Sequence, residues 1–558
     1  MKRIIVLFLA ILFVSQHSMA QSPNWIWVKA PQGSGVGIGT SIATDVSGHI
    51  YVTGNFSAPY IIFGVDTLFN NGGQDIFVVK YDSTGQVIWA KSFGGDLNNI
   101  PNSIAADAFG NIYVVGNFTS HTLTFASTTL VNDSAHFENM FLAKIDGANG
   151  NPLWAISAGE RWQDYGNSVT TDALGNVVVV GTFKDSSITF GSTTLYNSNL
   201  SNGLSTIYIV KFNSSGSVLW ARNSDGAGGA TVTSVISDVW GNIYFTGVPS
   251  NPLILDTVIF SPLYPHPHNI YIAKYNSGGH ALWAKSYGGN VVRPISNSIS
   301  CDASGKVFIT GHFTDTLTFG SLSLIDTSHV KINIFTTKFD SSGTAQWAKS
   351  GIGISIGNDS HSINLDPSGN SYIVGSFSSK IYFGNDTLIS NNGGIFAVKY
   401  DASGNIVFTK AVVGNAIANS VASDNFGNAY VTGSFSDTTI IFGTTILTQS
   451  SFSNKIYATR LGSHFTGIET IEIVKGIIAF PNPANTILNI HLNQLQITDC
   501  ELRITDVFGR EIYKETIRGI DTKIEVSKWS AGVYFYSLTP ATSTVAGETY
   551  RGKIIVEK

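Results

Sequence analysis

Short apolar runs broken by polar turns dominate this chain. Each run is rich in Val, Ile, Tyr and Phe and stops at Asp-x-x-Gly or at an Asn/Ser cluster, which predicts antiparallel β-strands with little helix. Ile112 to Val115 and Val177 to Val180 are apolar at every position. A half-exposed strand alternates instead, so these runs predict sheets covered on both faces. One stretch displays the whole unit: Asn102-Ser103-Ile104-Ala105-Ala106-Asp107, then Gly110-Asn111-Ile112-Tyr113-Val114-Val115-Gly116, then Phe141-Leu142-Ala143-Lys144-Ile145-Asp146, then Leu153-Trp154. These are four strands in order.

The unit recurs. Trp27, Trp89, Trp154, Trp220, Trp283 and Trp347, followed by Phe408, are spaced 62, 65, 66, 63, 64 and 61 residues apart. Asp45, Asp107, Asp172, Asp238, Asp302, Asp366 and Asp424 each precede a Gly by three residues. An Asp that accepts nearby backbone N–H groups and a Gly that supplies a positive φ make a tight turn. A calcium loop would need more oxygen ligands than Ala108-Phe109 or Ala173-Leu174 provide. The last unit, from Asp424 to Arg460, ends without its Trp strand, while Asn24-Trp25-Ile26-Trp27-Val28-Lys29 matches that strand ahead of the first unit. Pairing the two ends would close a ring of seven blades and remove the free sheet edges. The expected architecture is therefore all-β, a seven-bladed β-propeller closed by an N-terminal strand. The units exceed the usual blade of about 40 to 45 residues. The excess, as at Ile61 to Leu68 and Leu317 to Leu324, predicts an added hairpin between second and third strands.

The motif Asp-x-x-Gly-Asn-x-Tyr-Val-x-Gly followed by Lys-Tyr-Asp-x-x-Gly-x-x-x-Trp resembles the bacterial SBBP-type β-propeller repeat over about residues 22 to 463. That resemblance implies the fold and leaves the chemistry open. Beyond a linker the spacing changes. Phe480-Pro481-Asn482-Pro483, Asp506-Val507-Phe508-Gly509-Arg510, Gly532-Val533-Tyr534 and the terminal Lys553 to Lys558 predict a compact Ig-like β-sandwich. They also resemble the type A C-terminal sorting domain of type IX secretion cargo. The resemblance implies Pro481, Asn482, Pro483, Asp506, Gly509, Arg510, Gly532, Tyr534, Lys553 and Lys558 as the sorting motif, the type IX machinery as a partner, and passage through the periplasm to secretion or the cell surface. The expected layout is a signal peptide at 1–20, the propeller at 21–463, a linker at 464–476 and the sorting domain at 477–558.

Lys2-Arg3, the apolar run Ile4 to Val14 and Ser18-Met19-Ala20 read as a cleaved secretory signal. No other run is long and apolar enough for a membrane helix, so no transmembrane segment is expected in the mature form. Charged residues are only 12% of the chain and the formal net charge is −5. Without basic clusters, nucleic acid and anionic lipid are poor partners. Cys301 takes the place of Ala106 and Thr171 in sister units, which predicts a buried free thiol rather than a bridge to Cys500.

The Asp turns mark one face of the ring, and the variable loops that lead into each inner strand mark the other, where binding is expected. The richest of these loops is Glu160-Arg161-Trp162-Gln163-Asp164-Tyr165, whose aromatic and planar polar groups suit a sugar. Asp96, Asn98, Asn99, Arg293, Asn358 and Asp359 hold corresponding places and extend the candidate rim. Ser41, Ser103, Ser168, Ser234, Ser298, Ser362 and Ser420 stand at the start of each inner strand, either rimming the channel or satisfying backbone groups between blades, the preferred reading. His266 and His268 offer a metal two imidazoles but no third ligand. Asp66-Thr67-Leu68, Asp315-Thr316-Leu317 and Asp386-Thr387-Leu388 resemble short bacterial O-glycosylation sites.

No Walker loop, nucleophile elbow or zincin helix occurs, and no cofactor, metal or catalytic residue is expected. The preferred function is an exported binding or scaffold propeller for extracellular carbohydrate or protein. The alternative is a polysaccharide hydrolase or lyase, with Glu160 and Asp164 as a possible carboxylate pair. A quinoprotein reading, prompted by Asp-x-x-Gly-x-x-x-Trp, is disfavoured by seven units instead of eight and by the lack of adjacent cysteines.

Overall fold

The computed structural model describes residues 23–462 except 34–35, 135, 199–202, 227, 250–251, 261–268, 290–293, 327–330 and 450–452. It also describes 477–556 except 481–485, 493–499, 507–508, 518–520, 531 and 541–549. The signal segment 1–20, His266, His268, Arg293, the linker 464–476, Pro481, Asn482, Pro483 and Lys558 lie outside the described residues. The chain divides into two compact units, Met1–Ser463 and His464–Lys558.

The first unit is a ring of four-stranded antiparallel blades. Blade 1 runs from its inner strand Gly37–Thr44 through Ile50–Phe56 and Asp75–Tyr81 to the outer Val87–Phe93. Blades 2 to 6 repeat that order, with inner strands Asn99–Ala106, Asp164–Thr171, Thr231–Ser237, Ile295–Cys301 and Asp359–Leu365. Blade 7 takes three strands from the end of the array, Ala416–Ser423, Ala429–Phe435 and Lys455–Gly462, and its outer strand Asn24–Lys29 from the beginning. That closing pair is antiparallel, with Asn24 opposite Gly462 and Lys29 opposite Ala458. The middle strands are buried at every position, as in Ile50–Phe56, Val177–Phe183 and Thr206–Phe212, or at all but one or two. Their unbroken apolar runs follow from having a neighbouring blade on each face.

Every inner strand carries a β-bulge just before its serine, at Gly39/Ser41 in blade 1 and at the matching position in the other six. The bulge leaves Thr40, Asn102, Asn167, Thr233, Asn297, His361 and Asn419 outside the ladder. Each of these side chains donates to a carbonyl of the next inner strand, from Thr40 to Pro101, Asn102 to Gly166, Asn167 to Val232, Thr233 to Ser296, Asn297 to Ser360, His361 to Ala418, and Asn419 back to Gly39. The distances span 2.6 Å at Asn167 to 2.9 Å at Asn102 and His361. A second closed circuit lies one residue on. The serine hydroxyls accept backbone N–H groups of the next blade, from Ile104 N–H to Ser41 round to Ile42 N–H to Ser420. The serines thus satisfy inter-blade backbone groups. The bulge also explains the glycine near the end of each second strand: a Cβ on Gly54 would sit 1.9 Å from the Ile38 carbonyl oxygen.

The tryptophans form a third circuit at the other end of each seam. The indole N–H groups of Trp27, Trp89, Trp154, Trp220, Trp283 and Trp347 donate to turn carbonyls in the following blade, at Ser83, Gly147, Ser214, Ser277, Ser341 and Ala402. The rings lie over the turn glycines. A Cβ on Gly279, whose φ is +81°, would come within 2.5 Å of Trp220. Phe408 breaks the series for a topological reason. Its neighbour is blade 7, where third and outer strands come from opposite ends of the array, so no connecting turn exists to offer a carbonyl.

The added hairpins seal the seams from outside. Leu253–Leu255 of blade 4 pairs with the outer strand of blade 3, Phe383 of blade 6 opposes Gly351 of blade 5, and Ile62 bridges Gln32 beside the closing strand. The closing seam packs Trp27, Tyr430, Ile456 and Ala458 against Ile50, Val52, Phe77 and Val79. Cys301 is a free thiol that donates to the Ser237 carbonyl, and burial raises its pKa.

The second unit contains a three-stranded sheet of Ile477–Phe480, Ile487–Leu492 and Asp521–Glu525 and a four-stranded sheet of Glu511–Ile517, Cys500–Asp506, Gly532–Pro540 and Tyr550–Val556. Leu488, Ile490, Leu502, Ile504, Ile524, Leu538 and Ile554 form the shared core of this sandwich. Asp506 caps its turn by accepting from Arg510 backbone N–H and, at 2.7 Å, from Arg510 Nε. Tyr534 packs on Trp529 at 5.0 Å.

The tryptophan circuit gives a paired expectation. Trp89→Phe loses a buried hydrogen bond and lowers stability by about 1 kcal/mol. Phe408→Trp has no carbonyl to reach and yields no gain. Thermal unfolding of both variants against the parent checks this. Equal and opposite shifts would contradict it.

Candidate functional site

The Asp turns fill one face and consume their own carboxylates. Asp107 Oδ1 accepts N–H from Phe109 and Asn111, while Oδ2 accepts from Asn111 Nδ2 and the Tyr113 hydroxyl. In blade 3, Val178 stands where five of the six sister units have Tyr, and Lys211 reaches Asp172 at 2.9 Å. Burial of Asp172 raises its pKa, yet Lys211 and Asn176 outweigh it and hold the carboxyl below the usual range. These turns are structural.

On the opposite face the predicted rim residues divide into two groups. Asn99, Asp164 and Asn358 hold the same place in their blades, and all three are buried. Asn99 Nδ2 donates to the Gln74 and Leu97 carbonyls, and Asn358 Nδ2 to those of Ile332 and Ser355. Asp164 accepts from Lys184 N–H and Glu160 N–H. These side chains tie the loops down and do not meet solvent. Asp164, at 0% exposure, cannot touch a substrate, so a Glu160–Asp164 glycosidase pair lacks its second member.

Glu160, Arg161 and Trp162 are exposed above that frame. Their loop wraps a buried carboxylate that the sequence did not single out: Asp185 Oδ2 accepts N–H from Glu160 at 2.9 Å and from Arg161 at 2.8 Å. Trp162, 49% exposed, packs on Phe137 with ring centroids 5.6 Å apart, and Lys184 Nζ lies 5.6 Å from the indole centroid. Next to Phe137 in sequence, His136 meets His121, whose Nδ1 lies 2.5 Å from Asp96 Oδ2. Asp96, Asn98, Trp162 and Glu160 thus belong to an aromatic and polar shelf over blades 2 and 3.

Asp359 belongs elsewhere, at the channel mouth. Its Oδ1 accepts from Asn297 Nδ2 at 2.7 Å and lies 2.8 Å from His312 Nδ1. His361 Nε2 is 3.6 Å from Oδ2. Asp359, Asn297 and His361 line a cavity of about 600 Å³ together with Asn102, Asn167 and Thr231 to Thr233. Tyr165 is the blade 3 counterpart of Asp359 at this mouth, three residues before the bulge serine.

The loop 160–162 carries a pH signature. Burial, reinforced by Asp185, pushes the Asp164 carboxyl up to about 8. The folded protein therefore holds a proton that the unfolded chain releases above its ordinary value of 3.8. Stability from this group is full at low pH and is lost as pH rises toward 8. Asp164→Asn removes the titration. Its stability, measured by urea unfolding between pH 5 and 9, is expected to gain on the parent as pH rises, and parallel curves would contradict the assignment.

Comparison with known proteins agrees with this architecture. Residues 88–117 match the beta-propeller repeat family model and residues 478–557 match that of the secretion system C-terminal sorting domain. An uncharacterized WD repeat-containing protein L264 of Acanthamoeba polyphaga mimivirus is 24% identical over 502 residues, covering 72% of this chain and 35% of that protein. The regulatory protein FlaEY of Caulobacter vibrioides is 25% identical over 144 residues, covering 24% of this chain and 15% of its own length. The chain thus spans about a third or less of these curated relatives. Among solved structures, quinohemoprotein alcohol dehydrogenase from Comamonas testosteroni aligns at 11% identity and a TM-score of 0.37, covering 82% of this chain and 79% of that one. Sqt1 from Chaetomium thermophilum aligns at 10% and 0.33, covering 70% and 80%. Likeness of that degree transfers no chemistry. The chain is thus a seven-bladed β-propeller with a beta-propeller repeat match at residues 88–117, and its C-terminal sorting domain marks it for export by the type IX secretion system to the cell surface or extracellular space.

Proposed function

We propose that this exported propeller is a binding protein whose loop-bearing face recognises extracellular carbohydrate through the shelf over blades 2 and 3. The observation that carries the reading is the Phe137–Trp162 pair, held half-exposed above strand ends whose rings, such as Phe118 and Phe183, are buried. A pyranose presents a C–H face to an aromatic ring and hydroxyls around its edge. Trp162 supplies the ring, Lys184 lies over it, Glu160 and Arg161 precede it in the same loop, and Asp96 stands further along the shelf beside His121. The loop is fixed from beneath by Asp185, so little conformational freedom is lost on binding.

The experiment is retention of the full chain on a panel of immobilised extracellular polysaccharides, with new reducing ends measured in parallel. At least one polysaccharide is expected to retain the protein without gaining reducing ends, and Trp162→Ala is expected to weaken that retention about two- to tenfold, since an aromatic contact of this kind is worth about 0.5 to 1.5 kcal/mol. Equal retention of the variant, or no retention on any matrix, would overturn the reading. New reducing ends would point to cleavage instead.

A further inference from the structure

Aligning the seven inner strands on their bulge serines exposes two departures in one blade. Three residues before the serine stand Ile38, Ile100, Tyr165, Thr231, Ile295, Asp359 and Ile417. A carboxylate occurs there only in blade 6, flanked in blades 5 and 7 by Ile295 and Ile417, which are 37% and 43% exposed. The bulge residue of the same blade is His361, where four sister blades have Asn and two have Thr.

The histidine tautomer follows from the inter-blade circuit. His361 Nδ1 lies 2.9 Å from the Ala418 carbonyl, which can only accept, so Nδ1 carries the hydrogen. The neutral ring then turns the Nε2 lone pair toward Asp359 Oδ2 at 3.6 Å. Asp359 Oδ1 is already supplied by Asn297 and His312, whereas Oδ2 receives no hydrogen bond. Two acceptors therefore stand side by side at the wall of the 600 Å³ cavity, and among the described residues no donor lies between them and no Lys or Arg lines the cavity. Both side chains are partly exposed, 22% at His361 and 33% at Asp359, so a ligand in the cavity can reach them.

We propose that this notch binds an organic cation, an alkylammonium or alkylguanidinium group of the kind borne by lysine and arginine side chains. A single N–H-rich head bridges Nε2 and Oδ2 and balances the carboxylate, while its aliphatic stem lies along Ile295 and Ile417. A neutral hydroxyl offers one donor for two acceptors and no charge. This site is separate from the aromatic shelf and does not depend on it.

The test is calorimetric titration of the full chain with n-hexylammonium chloride at pH 8, using n-hexanol and sodium hexanoate as matched probes. Saturable binding is expected for the amine and absent for the other two. His361→Asn restores the residue of four sister blades, keeps a donor for Ala418 and removes Nε2. Asp359→Ile restores the residue of four sister blades. Both are expected to fold, and each is expected to weaken amine binding about tenfold or more, as loss of a charged hydrogen bond does. Binding of hexanol as tight as that of the amine, no saturable amine binding, or unchanged binding by both variants would overturn the proposal. The contrast between amine and alcohol on the parent protein holds whatever the variants do.

Discussion

The structure depends on one bulged residue per blade. By slipping Thr40, Asn102, Asn167, Thr233, Asn297, His361 and Asn419 out of their own ladders, the chain turns seven side chains into links from each inner strand to the next, and the seventh link returns to the first blade. A blade satisfies its own backbone within its sheet. Neighbours in an open stack would meet only through side-chain packing, whereas here each seam also carries directional bonds at the channel wall. The serine circuit doubles them, and the glycine opposite each bulge leaves room for the distorted carbonyl.

The tryptophans hold the other end of the same seams, and their one exception shows that position in the ring governs composition. Phe408 faces the only blade assembled from both ends of the array, where the accepting turn is replaced by two separate segments. The closing strand inverts the situation: Trp27 comes from the beginning of the chain and reaches Ser83 in blade 1 as the internal tryptophans reach their own partners. Closure therefore reproduces the ordinary seam with blade 1, while within blade 7 Thr459 Oγ1 donates to the Trp27 carbonyl across the closing strand pair. Loops on the far face inherit this rigidity, which is what allows exposed rings and unfilled acceptors to persist there.

Much of the fold was legible because the determinants are periodic. The tryptophan spacing, the Asp turns, the hairpin excess and the displaced closing strand all survive as residue identities at fixed offsets, as do the serines that accept between blades. The candidate rim was legible only in part. Asn99, Asp164 and Asn358 share one structural place, but the sequence does not say that this place points inward, because the bulge two to three residues later decides the direction. Asp185, Phe137, Lys184 and His312 come from other loops or strands, and no local spacing links them to Trp162 or Asp359. Asp359 and His361 did carry a signal, visible when the inner strands are compared with one another: a charge among isoleucines and an imidazole among asparagines.

Hydrogen exchange of the strand Asn24–Lys29 tests the closed ring most directly. Its backbone amides are bonded to Lys455–Gly462 and its tryptophans are buried in the seams on either side. The account predicts protection comparable to that of the internal outer strand Val87–Phe93 and loss of both only on global unfolding. Exchange of Asn24–Lys29 at the rate of an unstructured tail, with Val87–Phe93 still protected, would contradict it.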